Sequence, residues 1–153
     1  MGAEDSSRYE EWNVTPNIKA DRIAFESNDG GDREIYIIGK KGLTNITNHR
    51  AADWNPVWSP RSRLIAFESF RGGRRGIYRV FPETARVEEV AANAAYDCWA
   101  PTWSPDEEQI AYVSDQSGDP EIYICSAGGG NARPLTAHPG IDYAPAWQPR
   151  PGS

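Results

Sequence analysis

The sequence predicts an all-β fold made of four-stranded propeller blades, and three observations predict it. The word Pro56-Val57-Trp58-Ser59-Pro60 returns as Pro101-Thr102-Trp103-Ser104-Pro105 and, altered, as Pro145-Ala146-Trp147-Gln148-Pro149, with Trp-to-Trp spacings of 45 and 44 residues. A period in the forties with a Trp signature marks either propeller blades or helical repeats. Between the signatures the apolar words are short and strand-like: Ile23-Ala24-Phe25-Glu26-Ser27, Ile65-Ala66-Phe67-Glu68-Ser69 and Ile110-Ala111-Tyr112-Val113-Ser114, followed by Ile-Tyr at 35–36, 77–78 and 122–123. The spacing does not slip, since nine residues separate Ser from Tyr in every copy.

Each unit therefore reads as a Trp strand, an Ile-Ala-Phe strand, an Ile-Tyr strand and a closing strand that contains Ile46-Thr47, Val90-Ala91 or Leu135-Thr136. Gly31, Gly73 and Gly118, four residues after the Ser, suit a hairpin position with positive φ. Residues 1–21 form an irregular extension. Counting back from Ile23 by the seven residues that separate Trp58 from Ile65 reaches Pro16 where a Trp is due, so unit one is expected to lack its inner strand. Trp12, four residues earlier, is expected to plug an apolar gap at the rim. The first blade then spans 22–54, the second 55–99 and the third 100–143, with 144–149 as a further inner strand and 150–153 as a tail. Val87-Glu88-Glu89-Val90-Ala91-Ala92 is placed on an outer strand, and Gly128-Gly129-Gly130 is a hairpin turn without the Lys-Ser/Thr of a phosphate loop.

The chain ends on the strand that its beginning lacks, which leaves one blade split between the termini. Burying a single Trp is worth up to about 4–6 kcal/mol, so the split blade is expected to close. Three blades turn too steeply to close alone, whereas two chains on a two-fold axis give six. The expectation is a six-bladed ring completed by homodimerisation, with Trp147 strands exchanged between termini; the alternative is a piece of a longer propeller.

Composition supports a core and narrows the function. The 153 residues are 39% apolar and 11% aromatic. A formal charge of −6 gives no basic face for nucleic acid, and no run is long enough to insert in a membrane. The opening Met1-Gly2-Ala3-Glu4-Asp5-Ser6-Ser7-Arg8 lacks the features of an export signal, which as written points to the cytoplasm. Cys98 and Cys125 fall two strands apart, roughly 9–10 Å, beyond disulfide reach, and are expected as free thiols.

The ordered words, Pro-x-Trp-Ser-Pro, Ile-Ala-Phe/Tyr-x-Ser, a Gly hairpin, Ile-Tyr and Leu-Thr, resemble the TolB-type propeller repeat, a WD-like blade of bacterial TolB and of propeller domains in some peptidases. The resemblance covers 22–149, and Trp103-Ser104-Pro105-Asp106 and Asp115-Gln116-Ser117-Gly118-Asp119-Pro120-Glu121-Ile122-Tyr123 match the family wording best. Arg61-Ser62-Arg63 departs from it, standing where the family has an Asp-Gly turn. It covers only the propeller of TolB, not its amino-terminal domain, and implies that a periplasmic setting is open.

The candidate site is one mouth of the channel. Asp53, Asp97 and Asp142 each stand seven residues after the closing word, and His49 and His138 precede two of them by four, with Asn93 in unit two. Trp54, Trp99 and Tyr143 stand two residues before each signature Pro. Carboxylates, imidazoles and aromatics in a ring suit a peptide, a basic terminus, a divalent cation or another small ligand; otherwise each Asp binds its own loop and each aromatic packs between blades. Ser59 and Ser104 lack a nucleophile elbow, and no tight metal spacing or cofactor loop stands out. Arg61, Arg63, Arg71, Arg74, Arg75 and Arg79 are read as a rim paired with acidic neighbours, or else an anion patch. The expected function is a non-enzymatic module that binds a protein, peptide or small molecule, with no catalytic residue, cofactor or metal. The alternative is a metal-dependent hydrolase or lyase, or a propeller gating a peptidase on another chain.

Overall fold

The structure is a computed structural model that describes residues 21–149 and the backbone course of 11–17. Three antiparallel four-stranded sheets follow one another with strands in chain order. Blade one holds β1 (Glu11–Asn17), β2 (Arg22–Ser27), β3 (Glu34–Gly39) and β4 (Gly42–Asn45). Blade two holds β5 (Asp53–Trp58), β6 (Ile65–Ser69), β7 (Gly76–Phe81) and β8 (Arg86–Ala91). Blade three holds β9 (Cys98–Trp103), β10 (Gln109–Ser114), β11 (Glu121–Ser126) and the short β12 (Arg133–Pro134). Among the described residues no helix is long and apolar enough to cross a membrane.

One expectation is corrected. Blade one has its own inner strand, because β1 pairs with β2 and sets Pro16 opposite Ile23, the register in which Trp58 faces Ile65 and Trp103 faces Ile110. Blade one therefore takes in 11–17 rather than beginning at 22, and Trp12 is in register with Trp54 and Trp99; its side chain lies outside the described residues. Backbone pairing, not the Trp, defines the strand: in the equivalent pair Trp58 opposite Ile65 the ladder bond comes from the next amide, Ser59 to Leu64, so a Pro at this position costs no ladder donor. Residues 144–149 do not complete blade one here. They follow blade three, where the Trp147 indole Nε1 donates to the Thr102 carbonyl at 3.1 Å, as Trp103 Nε1 donates to Val57 at 3.0 Å.

The strand period of two sorts each blade into two faces. On the face toward the preceding blade, Phe25 lies opposite Tyr36, Phe67 opposite Tyr78 and Tyr112 opposite Tyr123, with ring centroids 6.0, 6.1 and 6.0 Å apart. On the face toward the following blade stand small and branched residues. Ala24, Ile35, Ile37 and Ile46 of blade one meet Trp58, Ile65, Phe67, Tyr78 and Val80 of blade two in one core. Ala66, Ile77 and Val90 then meet Trp103, Ile110, Tyr112, Tyr123 and Cys125 in the next. The cores thus lie between sheets.

The turn residues behave as their chemistry requires. Gly31, Gly73 and Gly118 take φ of 105°, 94° and 107°. Ser59 and Ser104 tie their own turns: Ser59 Oγ accepts from the Arg63 and Leu64 amides, and Ser104 Oγ accepts from Gln109 while donating to Asp106. The Trp-Ser-Pro word is thus a strand end with its turn staple. Cys98 and Cys125 are free, as expected; both are buried, and burial pushes their thiols up to about 11 and about 12. Trp103→Ala empties the seam between blades two and three and removes the donor to Val57; a loss of about 3–5 kcal/mol is expected in urea denaturation.

Candidate functional site

Every inner strand starts with a bulge. Its register shifts between Trp54 and Val57 and again between Trp99 and Thr102, and the residue after the aromatic turns left-handed: Asn55, Ala100 and Ala144 have φ of 54°, 52° and 54°. The bulge frees an amide that the ladder cannot satisfy, and a buried donor needs a partner. A carboxylate from the preceding blade supplies it. Glu26 accepts from the Asn55 amide at 2.5 Å, and Glu68 accepts from the Ala100 amide at 2.8 Å and from Asn55 Nδ2 at 2.7 Å. Both glutamates are fully buried and paired with guanidinium groups, Arg33 to Glu26 at 3.5 Å and Arg75 to Glu68.

In unit three both partners change together, since Val113 replaces the glutamate and Pro120 the arginine. This latch was absent from the sequence reading, yet its signal was there: Glu26 with Arg33, Glu68 with Arg75, Val113 with Pro120.

Of the expected site residues, Asp53 and Asp142 take equivalent places and Asp97 does not. The Asp53, Cys98 and Asp142 amides donate to the carbonyls of Arg33, Arg75 and Pro120 at 2.7, 2.8 and 2.9 Å. Cys98, which bonds Ser114 as Asp53 faces Ser69, is therefore the counterpart of the two aspartates. The count fails because β8 spends one residue in a bulge at Val90, so the loop from Val90 runs one longer.

The aspartates are not spent on their own loops. Asp53 is fully buried and pairs with Arg71 at 2.7 Å; burial raises its pKa, and Ser69 and Arg71 hold it back. Asp97 takes Arg74 through both oxygens, at 3.0 and 2.9 Å, and also the Arg75 amide at 3.1 Å. Asp142 Oδ2 is buried 3.4 Å from His138 Nε2. The arginine-rich stretch is thereby accounted for: Arg63 pairs with Glu107 and Arg79 with Glu88, while the Arg61 amide donates to Glu107. Five of the six guanidinium groups, those of Arg63, Arg71, Arg74, Arg75 and Arg79, thus pair with carboxylates, as the charge pattern predicts.

The histidines are tied by their backbones. The His49 amide donates to Glu34 at 2.7 Å and the His138 amide to Glu121 at 3.3 Å. Each glutamate also accepts from a threonine of the closing word, Thr47 or Thr136, whose hydroxyl in turn accepts from the Ile35 or Ile122 amide. Sequence reasoning missed these Glu–Thr pairs. Unit two lacks both members, and Gly76 stands where a Cβ would lie 2.6 Å from Ala92 Cβ. His49 Nδ1 accepts from the Ala51 amide at 3.0 Å. Among the described residues no three His, Cys, Asp or Glu side chains converge as a metal set.

The aromatics are more open. Trp54 packs on Phe70 at 5.1 Å, Phe70 is 42% exposed, Arg75 lies over the Trp99 ring at 5.7 Å, and Tyr143 is 66% exposed. The arrangement offers ring faces and guanidinium edges at the starts of successive inner strands, on a frame fixed by ion pairs.

Two outcomes are expected. Burial, eased by the Thr47 hydroxyl and the His49 amide, raises Glu34 from 4.5 to about 7, with Asp53 adding repulsion. The folded state therefore keeps that proton longer than the unfolded chain. The resulting stability is full below about 4.5 and is lost as pH rises through about 7. Urea midpoints measured from pH 4 to 8 are expected to fall across that window and to flatten in Glu34→Gln. Glu68→Ala leaves the Ala100 amide and Arg75 without their acceptor, and its unfolding free energy is expected to drop by about 2–4 kcal/mol.

No family model and no curated protein matches the chain. Solved structures do. A TolB from Agrobacterium tumefaciens is similar over 76% of this chain and 45% of its own, at 25% identity and a TM-score of 0.67. TolB from Acinetobacter baumannii is similar over 81% and 32%, at 22% identity and a TM-score of 0.67. A puromycin-hydrolyzing peptidase from Mycobacterium tuberculosis is similar over 85% and 22%, at 18% identity and a TM-score of 0.72. The chain spans less than half the length of each of these neighbours.

Proposed function

We propose that this chain, whose fold is the TolB-like propeller, is a recognition module that binds a peptide or protein segment at the channel mouth. The observation that carries the reading is the arc of Trp54 with Phe70, Trp99 with Arg75, and Tyr143. Aromatic and arginine side chains on a preorganised frame are what binding hot spots are made of. The carboxylates at the same mouth are committed, Asp53 to Arg71 and Asp97 to Arg74, so they hold the frame rather than present free charge.

The mouth is complete in a six-bladed ring of two chains. The two ends of the three-blade stack support this. On the outer face of blade one, Ile23, Ile38 and Leu43 form a cross-strand row exposed at 38%, 46% and 53%, while their counterparts Ile65 and Val80 are fully buried. On the outer face of blade three, Leu135 is 50% exposed where Ile46 and Val90 are buried. One end is a face that expects a preceding blade and the other a face that expects a following one. A two-fold axis joins them twice and closes the ring.

Solution mass is expected at twice 17.0 kDa. A phage-displayed peptide library panned on the protein is expected to yield ligands that quench Trp fluorescence. Trp99→Ala with Tyr143→Ala is expected to weaken them at least tenfold with the circular dichroism unchanged. Ligands indifferent to both substitutions, or steady turnover of a selected peptide, would overturn the reading.

A further inference from the structure

Residues 11–17 and 142–147 fit the same edge. In blade one Glu11, Trp12, Thr15 and Pro16 lie opposite Ser27, Glu26, Ala24 and Ile23. In blade two Asp53, Trp54, Val57 and Trp58 lie opposite Ser69, Glu68, Ala66 and Ile65. Asp142, Tyr143, Ala146 and Trp147 repeat that spacing. They also repeat its backbone, with the left-handed Ala144 and the indole bond to the preceding inner strand. Among the described residues no strand lies beside this segment in the way that β6 lies beside β5.

A two-chain ring has one inner-strand place at each junction between chains and two segments that suit it. We propose that 11–17 hold this place only in the lone chain, and that 142–147 of a second copy displace them along β2 when two chains meet. This rests on the ring reading above. The docking surface is the β2 edge together with the Ile23, Ile38 and Leu43 row, and its occupant is the same segment of another copy.

Two features favour the incoming segment. The Trp147 ring is large enough to cover Ile23 and Ile38 in the way that the buried Trp58 covers Ile65 and Val80, and its Nε1 is already anchored on Thr102 of its own chain. Asp142, whose Oδ2 is buried without a hydrogen bond, would meet the Ser27 hydroxyl as Asp53 meets that of Ser69. Blade one presents Asp29 where blade two presents Arg71, and the imidazole Nε2 of His138 in its own chain lies 3.4 Å from Asp142 Oδ2.

Hydrogen exchange read by mass spectrometry on separated monomer and dimer of the full chain tests this. In the dimer, the amides of 11–17 are expected to exchange at least tenfold faster than in the monomer, and those of 142–147 at least tenfold slower. Pro16→Trp, which gives the resident strand its missing ring, is expected to raise the dimer dissociation constant at least tenfold without changing the monomer's circular dichroism. A dimer that still protects 11–17 would overturn the displacement and leave the ring reading standing. An unchanged dissociation constant in Pro16→Trp would do the same. A chain that stays monomeric at every concentration would overturn both.

Discussion

A four-stranded blade has two apolar faces and can bury neither of them alone. The aromatic pairs Phe67–Tyr78 and Tyr112–Tyr123 face back toward the preceding sheet, and Ala24, Ile35, Ile37 and Ile46, or Ala66, Ile77 and Val90, face forward to receive them. Among the described residues, each core cluster draws on two units. Each seam is made by two, which is why the indole of one inner strand reaches the carbonyl of the one before it. Ordinary globular packing between sheets at about 10 Å needs such a neighbour on both sides. The apolar rows at the two ends of the stack are the visible remainder of that requirement.

The polar groups obey the same constraint. The bulge that starts each inner strand leaves an amide unpaired within its own sheet, and Glu26 and Glu68 reach it from the sheet before. A buried carboxylate needs its own cation, and Arg33 and Arg75 stand beside them. Unit three dispenses with both members at once, and units one and three carry the Glu–Thr pair that unit two replaces with Gly76 and the Ala91-Ala92 step. In each case one unit exchanges a charged solution for an uncharged one, while the hairpin glycines Gly31, Gly73 and Gly118 and the left-handed Asn55, Ala100 and Ala144 keep the same turn geometry from unit to unit. A half-satisfied pair would cost more than either.

At the starts of the inner strands, the consequence is a division of labour. Carboxylates and guanidinium groups neutralise one another across loops and fix the strand starts, whereas Trp54, Trp99 and Tyr143 keep accessible ring surface. Asp53 and Asp97 contribute rigidity, and the rings contribute area at low entropic cost.

The sequence by itself determined the repeat: four short strands per unit, the Gly hairpins, the order of the sheets, the free thiols and the pairing of the arginine-rich stretch with acidic neighbours. These are local or periodic properties, and a constant nine-residue spacing between Ser and Tyr leaves little else for residues 22–136 to do. Only the tertiary structure decided that Glu11–Asn17 is a strand, because pairing with β2 rewards any chain that can offer backbone groups in register, and Pro16 conceals this from a search for Trp. It also decided that Cys98, not Asp97, is the counterpart of Asp53, because a bulge at Val90 shifts the count without leaving a mark in composition. The glutamate latches belong to the same class. They join residues 29 and 32 positions apart, and a carboxylate reveals its partner only when two sheets are laid face to face.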